Sequence, residues 1–168
     1  MLIAIISDVH DNIPNLKKVL DYCNANRIEK IICCGDLASQ ETLDYLCDNF
    51  PGEIFFAFGN MDSEHENHFH ITDGEYRNAH IFSKHGEMEI KSKKIAFVHY
   101  PDSAKKLCES GKYSFVFHGH THKPWTEVLG NCTLLNPGNV ANQIYQPTFA
   151  VWNTSDNKFQ LIRINNLP

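Results

Sequence analysis

Short apolar runs that each stop abruptly at a polar motif constrain this chain more than any other feature of its sequence. Leu2-Ile3-Ala4-Ile5-Ile6, Ile31-Ile32-Cys33-Cys34, Ile54-Phe55-Phe56-Ala57-Phe58, Ile95-Ala96-Phe97-Val98 and Ser114-Phe115-Val116-Phe117 are continuous rather than alternating, and rich in β-branched and aromatic residues. That pattern predicts strands buried on both faces. Directly after them come Asp8-Val9-His10, Gly35-Asp36, Gly59-Asn60-Met61-Asp62, His99 and Gly119-His120-Thr121-His122. Ligands of open α/β sheets gather outside the carboxyl ends of the strands, so these motifs are expected to converge on one site.

The segments between the runs fit this layout. Asn12 can cap a helix and Pro14 falls where a missing N–H costs nothing. Leu16, Val19, Leu20 and Cys23 then recur at helical spacing, which predicts a helix over residues 13–26. A second helix is expected over 40–49, with Leu43, Leu46 and Cys47 on its buried face. Strand, helix, strand, helix, strand is the signature of a parallel, right-handed α/β unit. Further on, residues 87–100, 114–118, 126–135 and 148–164 predict shorter strands, interrupted by one helix over about 102–110. These strands suggest a second, mostly antiparallel sheet packed on the first. No linker or repeat divides the chain, so residues 1–168 are expected to form a single domain.

Composition excludes some functions and leaves others open. A net charge of −5, with Lys and Arg dispersed, gives no basic stripe of the kind that binds nucleic acid through phosphates. A small phosphorylated substrate remains compatible, because bound cations would supply positive charge locally. The first apolar run is too short for a signal segment, and no run is long enough to span a membrane. The expected location is the cytoplasm, with Cys23, Cys33, Cys34, Cys47, Cys108 and Cys132 mostly reduced.

The motif residues carry metal chemistry. Asp8 and His10 are two residues apart at a strand end, so strand alternation would point both to the same side. Oxygen and imidazole donors together suit Mn, Fe, Zn, Ni or Co better than calcium. The carboxylate of Asp36 can bridge two ions, Asn60 offers an amide oxygen, and His99, His120 and His122 complete the set. Seven groups divide into two four-coordinate shells that share Asp36. Two ions about 3.5–4 Å apart clamp both oxygens of an in-line displacement at phosphorus, and they lower the pKa of bound water from about 15.7 toward about 7.

The motifs DxH, GD, GNxD, a lone His and GHxH, in this order, resemble the calcineurin-like metallophosphoesterase superfamily. The segments SDVHDN, CGDL, GNMD, HGHTH and NPGN are most similar to its small bacterial and archaeal phosphodiesterase branch. The resemblance covers essentially the whole chain. It implies an α/β fold, a four-layer αββα sandwich of two mixed sheets flanked by helices. It implies a first ion on Asp8, His10, Asp36 and His122, and a second on Asp36, Asn60, His99 and His120. Mn is the first expectation for the two divalent metal ions, with Ni, Fe, Zn or Co as alternatives. The implied activity is phosphodiester hydrolysis by a metal-bridging hydroxide, with Asp36, Asn60 and His120 as catalytic residues. Phosphomonoester hydrolysis is the neighbouring alternative. A third is an interaction scaffold like the retromer subunit that shares the fold, although that protein has lost part of the ligand set and this chain has all of it. A homodimer and a homotetramer both remain open.

Two residues depart from the pattern. The third position of GNxD is a His in many members, thought to protonate the leaving group, but here it is Met61, and a thioether donates no proton. Tyr100-Pro101 follows the ligand His where small relatives usually carry Gly, so Tyr100 either narrows the pocket or turns away onto the following helix. Asn12 is expected to be a cap that also lies within reach of a phosphate oxygen. Asp62 either orients a ligand or caps the next segment. Asn136-Pro137-Gly138 is expected to turn near the site, and His118 to pack beside it. The run Glu64-His65-Glu66-Asn67-His68-Phe69-His70 is expected to be a solvated loop rather than a substrate contact.

Overall fold

The computed structural model describes residues 1–63 and 74–168. β1 (Leu2–Ile6), α1 (Ile13–Ala25), β2 (Lys30–Cys33), α2 (Gln40–Asn49) and β3 (Glu53–Ala57) alternate as expected. β1 pairs in parallel with β2, and β2 with β3. The Asn12 side chain accepts a hydrogen bond from Asn15 N at 3.1 Å, and Leu16, Val19, Leu20 and Cys23 form the buried face of α1. Ser39 caps α2 through Thr42 N. The chain continues with α3 (Asn60–Ser63), β4 (Gly74–Tyr76), β5 (Ala79–Phe82), β6 (His85–Ile90), β7 (Lys93–Val98) and α4 (Pro101–Glu109). β8 (Phe115–Phe117), β9 (Trp125–Leu129), β10 (Cys132–Asn136), β11 (Thr148–Asn153) and β12 (Lys158–Arg163) follow.

Two mixed sheets result, in the orders β12-β11-β1-β2-β3-β5-β4 and β6-β7-β8-β10-β9. Three apolar layers separate four structural ones. The first lies between α1, α2 and the larger sheet and includes Leu16, Leu20, Leu43, Phe50, Phe56 and Phe149. The second lies between the sheets and is aromatic, built around Phe97, Phe115, Phe117 and Trp152. The third packs Ala104 and Cys108 of α4 on Ala96, Val116 and Leu134 of the smaller sheet. Each fully buried Leu, Ile or Phe contributes about 1.5–3 kcal/mol to folding. The α/β, four-layer αββα expectation is met.

Three expectations change. Residues 148–164 were expected in the second sheet, but β11 and β12 join the first, with β11 antiparallel to β1. The reason lies in β11 itself: Phe149 and Val151 enter the helix-side core while Ala150 and Trp152 enter the inter-sheet core. A strand apolar on both faces belongs inside a sheet covered on both sides. The smaller sheet holds two antiparallel and two parallel pairings. Cys108 and Cys132, expected as thiols, form a disulfide from the end of α4 to the start of β10. Packing of α4 on the smaller sheet brings their Cα atoms to 5.5 Å, within bridging range. Cys23, Cys33, Cys34 and Cys47 are free and buried. Among the described residues no helix is long and apolar enough to cross a membrane.

Candidate active site

The polar motifs follow the carboxyl ends of β1, β2, β3, β7 and β8, and main-chain hydrogen bonds tie their loops together. Asp8 N donates to Gly35 O at 3.0 Å, Val9 N to Asp36 O at 2.8 Å and Gly119 N to His99 O at 3.1 Å. Close approach requires glycine in these loops. A Cβ on Gly59 would collide with the Asp36 carboxylate, and one on Gly119 with the Ser7 hydroxyl.

Asp8 and His10 do converge, but not by strand alternation. β1 has already ended at Ile6, and both residues adopt left-handed backbone, with φ of 55° and 46°. Asp36, His120 and His122 do likewise, at 58°, 69° and 59°. Such conformations cost of order 1–3 kcal/mol each and cluster at functional sites.

The side chains form two adjoining clusters. In one, His122 Nε2 lies 3.3 Å and His10 Nε2 3.9 Å from Asp8 Oδ1, and His10 Nε2 lies 3.6 Å from Asp36 Oδ2. In the other, His99 Nε2 lies 3.4 Å from Asp36 Oδ2, 3.1 Å from Asn60 Oδ1 and 3.2 Å from His120 Nδ1. Asn60 Oδ1 is 3.2 Å from His120 Nδ1. Among the described residues, the groups Asp8, His10, His122 and Asp8, Asp36, His99 each bring ligand atoms within 4.8 Å of one another, close enough to hold a metal ion. Asp8 thus belongs to both groups, while Asp36 Oδ2 reaches histidines of both clusters.

The separations of 3.1–3.4 Å fit metal ligation, and those of His10 Nε2, at 3.6 and 3.9 Å, are somewhat wider. Donors about 2.1 Å from one ion in tetrahedral or octahedral geometry stand about 3.0–3.4 Å apart. His10 Nε2 is buried without a hydrogen-bond partner, a costly state for a polar atom that an ion would relieve. Burial alone would raise the Asp8 carboxyl, but His10, His122, His99 and Ser7 outweigh it and hold Asp8 well below the usual carboxylate range. The His122 imidazole is raised chiefly by its contact with Asp8. For His99, burial works downward, but Asp36 and Asp8 prevail and raise it.

An outer layer of contacts aims the donors. Cys34 O accepts from His99 Nδ1 at 2.8 Å and Gln143 O from His122 Nδ1 at 3.3 Å. Donation at Nδ1 leaves each Nε2 as a free lone pair facing the cluster. Asp62, buried, accepts from Asp36 N and Gly59 N at 2.7 Å each and from Ala38 N at 2.9 Å. Burial pushes its carboxyl up to about 6 even against those donors. Of the two expected roles, Asp62 takes that of orienter. Asn136 Nδ2 donates to Gly119 O at 2.8 Å and Thr121 Oγ1 at 3.0 Å, bracing the GHTH loop. His118, buried, packs beside it as expected, 3.1 Å from Gly119 O.

Tyr100 does not turn away. Its ring stands 5.2 Å from that of His99 and 5.1 Å from that of His120, with 40% of the residue exposed. Asn12 both caps α1 and donates to Ala141 O. Sequence reasoning missed the Cys34 and Gln143 carbonyls, because main-chain acceptors leave no residue-type signal. It also passed over Asn139 as an individual residue, which donates to His122 O and accepts from Gln143 N; its place in NPGN was the available sign. The histidine run at 64–70 lies outside the described residues.

Comparison with known proteins gives this geometry a family. The calcineurin-like phosphoesterase superfamily domain matches residues 1–157. A phosphodiesterase of Methanocaldococcus jannaschii is 28% identical over 166 residues, covering 96% of this chain and 98% of the relative. The solved structure of an archaeal phosphodiesterase aligns at a TM-score of 0.82 and 25% identity, covering 97% of this chain and 99% of the other. Vacuolar protein sorting 29 of Cryptosporidium parvum aligns at 0.68 and 20% identity, covering 96% and 95%, a likeness of fold alone. With the match running through every motif that feeds the two clusters, the chain belongs to the calcineurin-like phosphoesterase superfamily and is a phosphoric ester hydrolase.

Proposed function

We propose that the chain hydrolyses phosphodiesters at a centre of two divalent ions. Asp8, His10, Asp36 and His122 hold the first ion in this reading, and Asp36, Asn60, His99 and His120 the second. The observation that carries it is the position of one atom: Asp36 Oδ2 is 3.6 Å from His10 Nε2 and 3.4 Å from His99 Nε2, between the clusters. When bound, the two ions supply hydroxide at neutral pH and offset charge on the phosphoryl oxygens. Imidazole and carboxylate donors favour Mn, Ni, Fe, Zn or Co over calcium, and Mn is the first to test.

The chain's own contribution is preorganisation. Met61 N donates to Asp36 Oδ1 at 2.9 Å, which directs the other oxygen to the histidines. Asp62 fixes the main chain of the same loop, and Asn60 Oδ1 sits between His99 and His120. Asp36, Asn60 and His120 are the catalytic residues of this reading. Water adds to phosphorus as one ester P–O bond breaks, giving a phosphomonoester and an alcohol or phenol. The departing oxygen finds no proton donor in the Met61 side chain, which favours esters with good leaving groups. All seven donor side chains are present, which supports this reading over an interaction scaffold.

The test is hydrolysis of bis-p-nitrophenyl phosphate beside p-nitrophenyl phosphate by chelator-stripped protein, with Mn, Ni, Zn or Mg restored singly. Metal-dependent cleavage favouring the diester, lost in Asp36→Asn, is the expected result. Preference for the monoester would move the assignment to phosphomonoesterase. A folded protein inert with every metal would overturn it.

A further inference from the structure

A cavity of about 520 Å³ adjoins the candidate centre, with Gly59 and Tyr100 in its wall. Tyr100 also stands against the His120 ring, so the cavity begins beside the place where phosphorus would react. Its body is apolar, lined by Phe58, Val98, Leu107 and Tyr113. Lys84, Lys106 and Lys112 add positive charge. In a chain of net charge −5, three lysines around one cavity run against the overall balance. Glu87 is one nearby acid: it accepts from the Tyr113 hydroxyl, lies 3.3 Å from His85 and has Lys112 close by. Among the described residues, Lys84 and Lys106 form no ion pair, and Asp102 stands one turn before Lys106 on α4. Lys106 lies on α4, six residues beyond Tyr100, about 9 Å along the helix axis. A single nucleoside spans such a distance.

We infer that this cavity holds the non-reacting arm of the substrate, and that the arm is an aromatic body ending in a second anionic group, the chemistry of a phosphorylated nucleoside. The inference rests on the phosphodiesterase reading above and names its substrate class. Tyr100 and the apolar lining accept the ring, which gains from offset or edge-on contact with aromatic side chains. Lys84 and Lys106 meet the distal anion as point charges. On hydrolysis the P–O bond to the other arm breaks, so the phosphorylated nucleoside keeps the reacted phosphate.

The test compares thymidine 5′-(p-nitrophenyl phosphate) with and without a 3′-phosphate, read by p-nitrophenolate release from the Mn-loaded protein. The expected gain in kcat/KM from the 3′-phosphate is about ten-fold or more, the worth of charge-assisted contacts. In Lys84→Gln/Lys106→Gln that gain is expected to fall toward one. Calorimetric titration with thymidine 3′,5′-bisphosphate and thymidine 5′-phosphate should give the same preference, lost in the same variant. A ratio of one in the wild type, or an unchanged ratio in the variant, overturns the inference. Bis-p-nitrophenyl phosphate, run in parallel, separates the two readings. If no metal supports its cleavage while the bisphosphate preference persists, the catalytic assignment falls and the ligand class stands.

Discussion

Asp62 offers no atom to the two donor clusters described above, yet three main-chain N–H groups of two converging loops end on its carboxylate. Removing an acceptor from buried donors costs about 1–3 kcal/mol per group, offset here by relief of a carboxylate held in a buried setting. Asp62→Ala is therefore expected to lower unfolding free energy by about 2–4 kcal/mol, measured by urea denaturation. The same variant should lose activity well beyond that of a destabilised surface mutant, because Asp36 loses its anchor. At the neighbouring position, Met61→His would restore an imidazole where the chain has a thioether. General acid catalysis is worth about 10²–10⁴-fold, so the rate of alkyl diesters relative to aryl diesters should rise by at least about ten-fold. Equal relative rates in wild type and variant would remove Met61 from the account of leaving-group preference.

The elements were unevenly legible. β1, α1, β2, α2 and β3 announced themselves through apolar runs, a cap at Asn12 and helical spacing, all local signals. β4 and β5 went unforeseen: Gly74–Tyr76 is only three residues, largely exposed. The sheet membership of β11 and β12 is a long-range choice, made by pairing between Ala4 and Val151, which no local window contains. Of the site, every proposed donor was visible as a residue type, whereas the carbonyls that aim His99 and His122 were not. The Cys108–Cys132 bridge was equally hidden, since its halves are 24 residues apart and meet only once α4 packs. In the chain-entropy view, closing a loop of about 25 residues stabilises by about 3.5 kcal/mol. Cys132→Ser, or reduction, should lower stability by about 2–4 kcal/mol by the same reasoning. Thiol titration gives an independent check. The native protein should react slowly, because burial pushes Cys23 up to about 12 and Cys47 up to about 11, and holds Cys33 and Cys34 well above the ordinary thiol value. Denaturation without reductant should then release the four thiols of these residues and no more.

At the scale of the molecule, two sheets and three apolar layers deliver the motif loops to one end of the sandwich. A metal that binds only the folded chain must stabilise all of it. At a free concentration about 100 times its dissociation constant, the gain is about 2.7 kcal/mol per site. For a chain of this size that corresponds to a rise in Tm of about 5–10 °C when Mn is returned to chelator-treated protein. Scanning calorimetry before and after chelation measures it, and an unchanged Tm with Mn present would count against the proposed centre.

Five of the seven proposed donors, Asp8, His10, Asp36, His120 and His122, occupy left-handed backbone. Asp, Asn and His are the side-chain-bearing residues that tolerate this conformation best. At these positions the alphabet that can shape the loop and the alphabet that can bind an ion nearly coincide. An engineer seeking a different metal preference therefore has little freedom. Installing Glu or Cys would change the ligand and unsettle the turn together, whereas Asp36→Asn keeps the turn and removes only the charge. Drift at these positions is confined in the same way, so a lineage that gave up catalysis could keep this backbone by exchanging Asp for Asn.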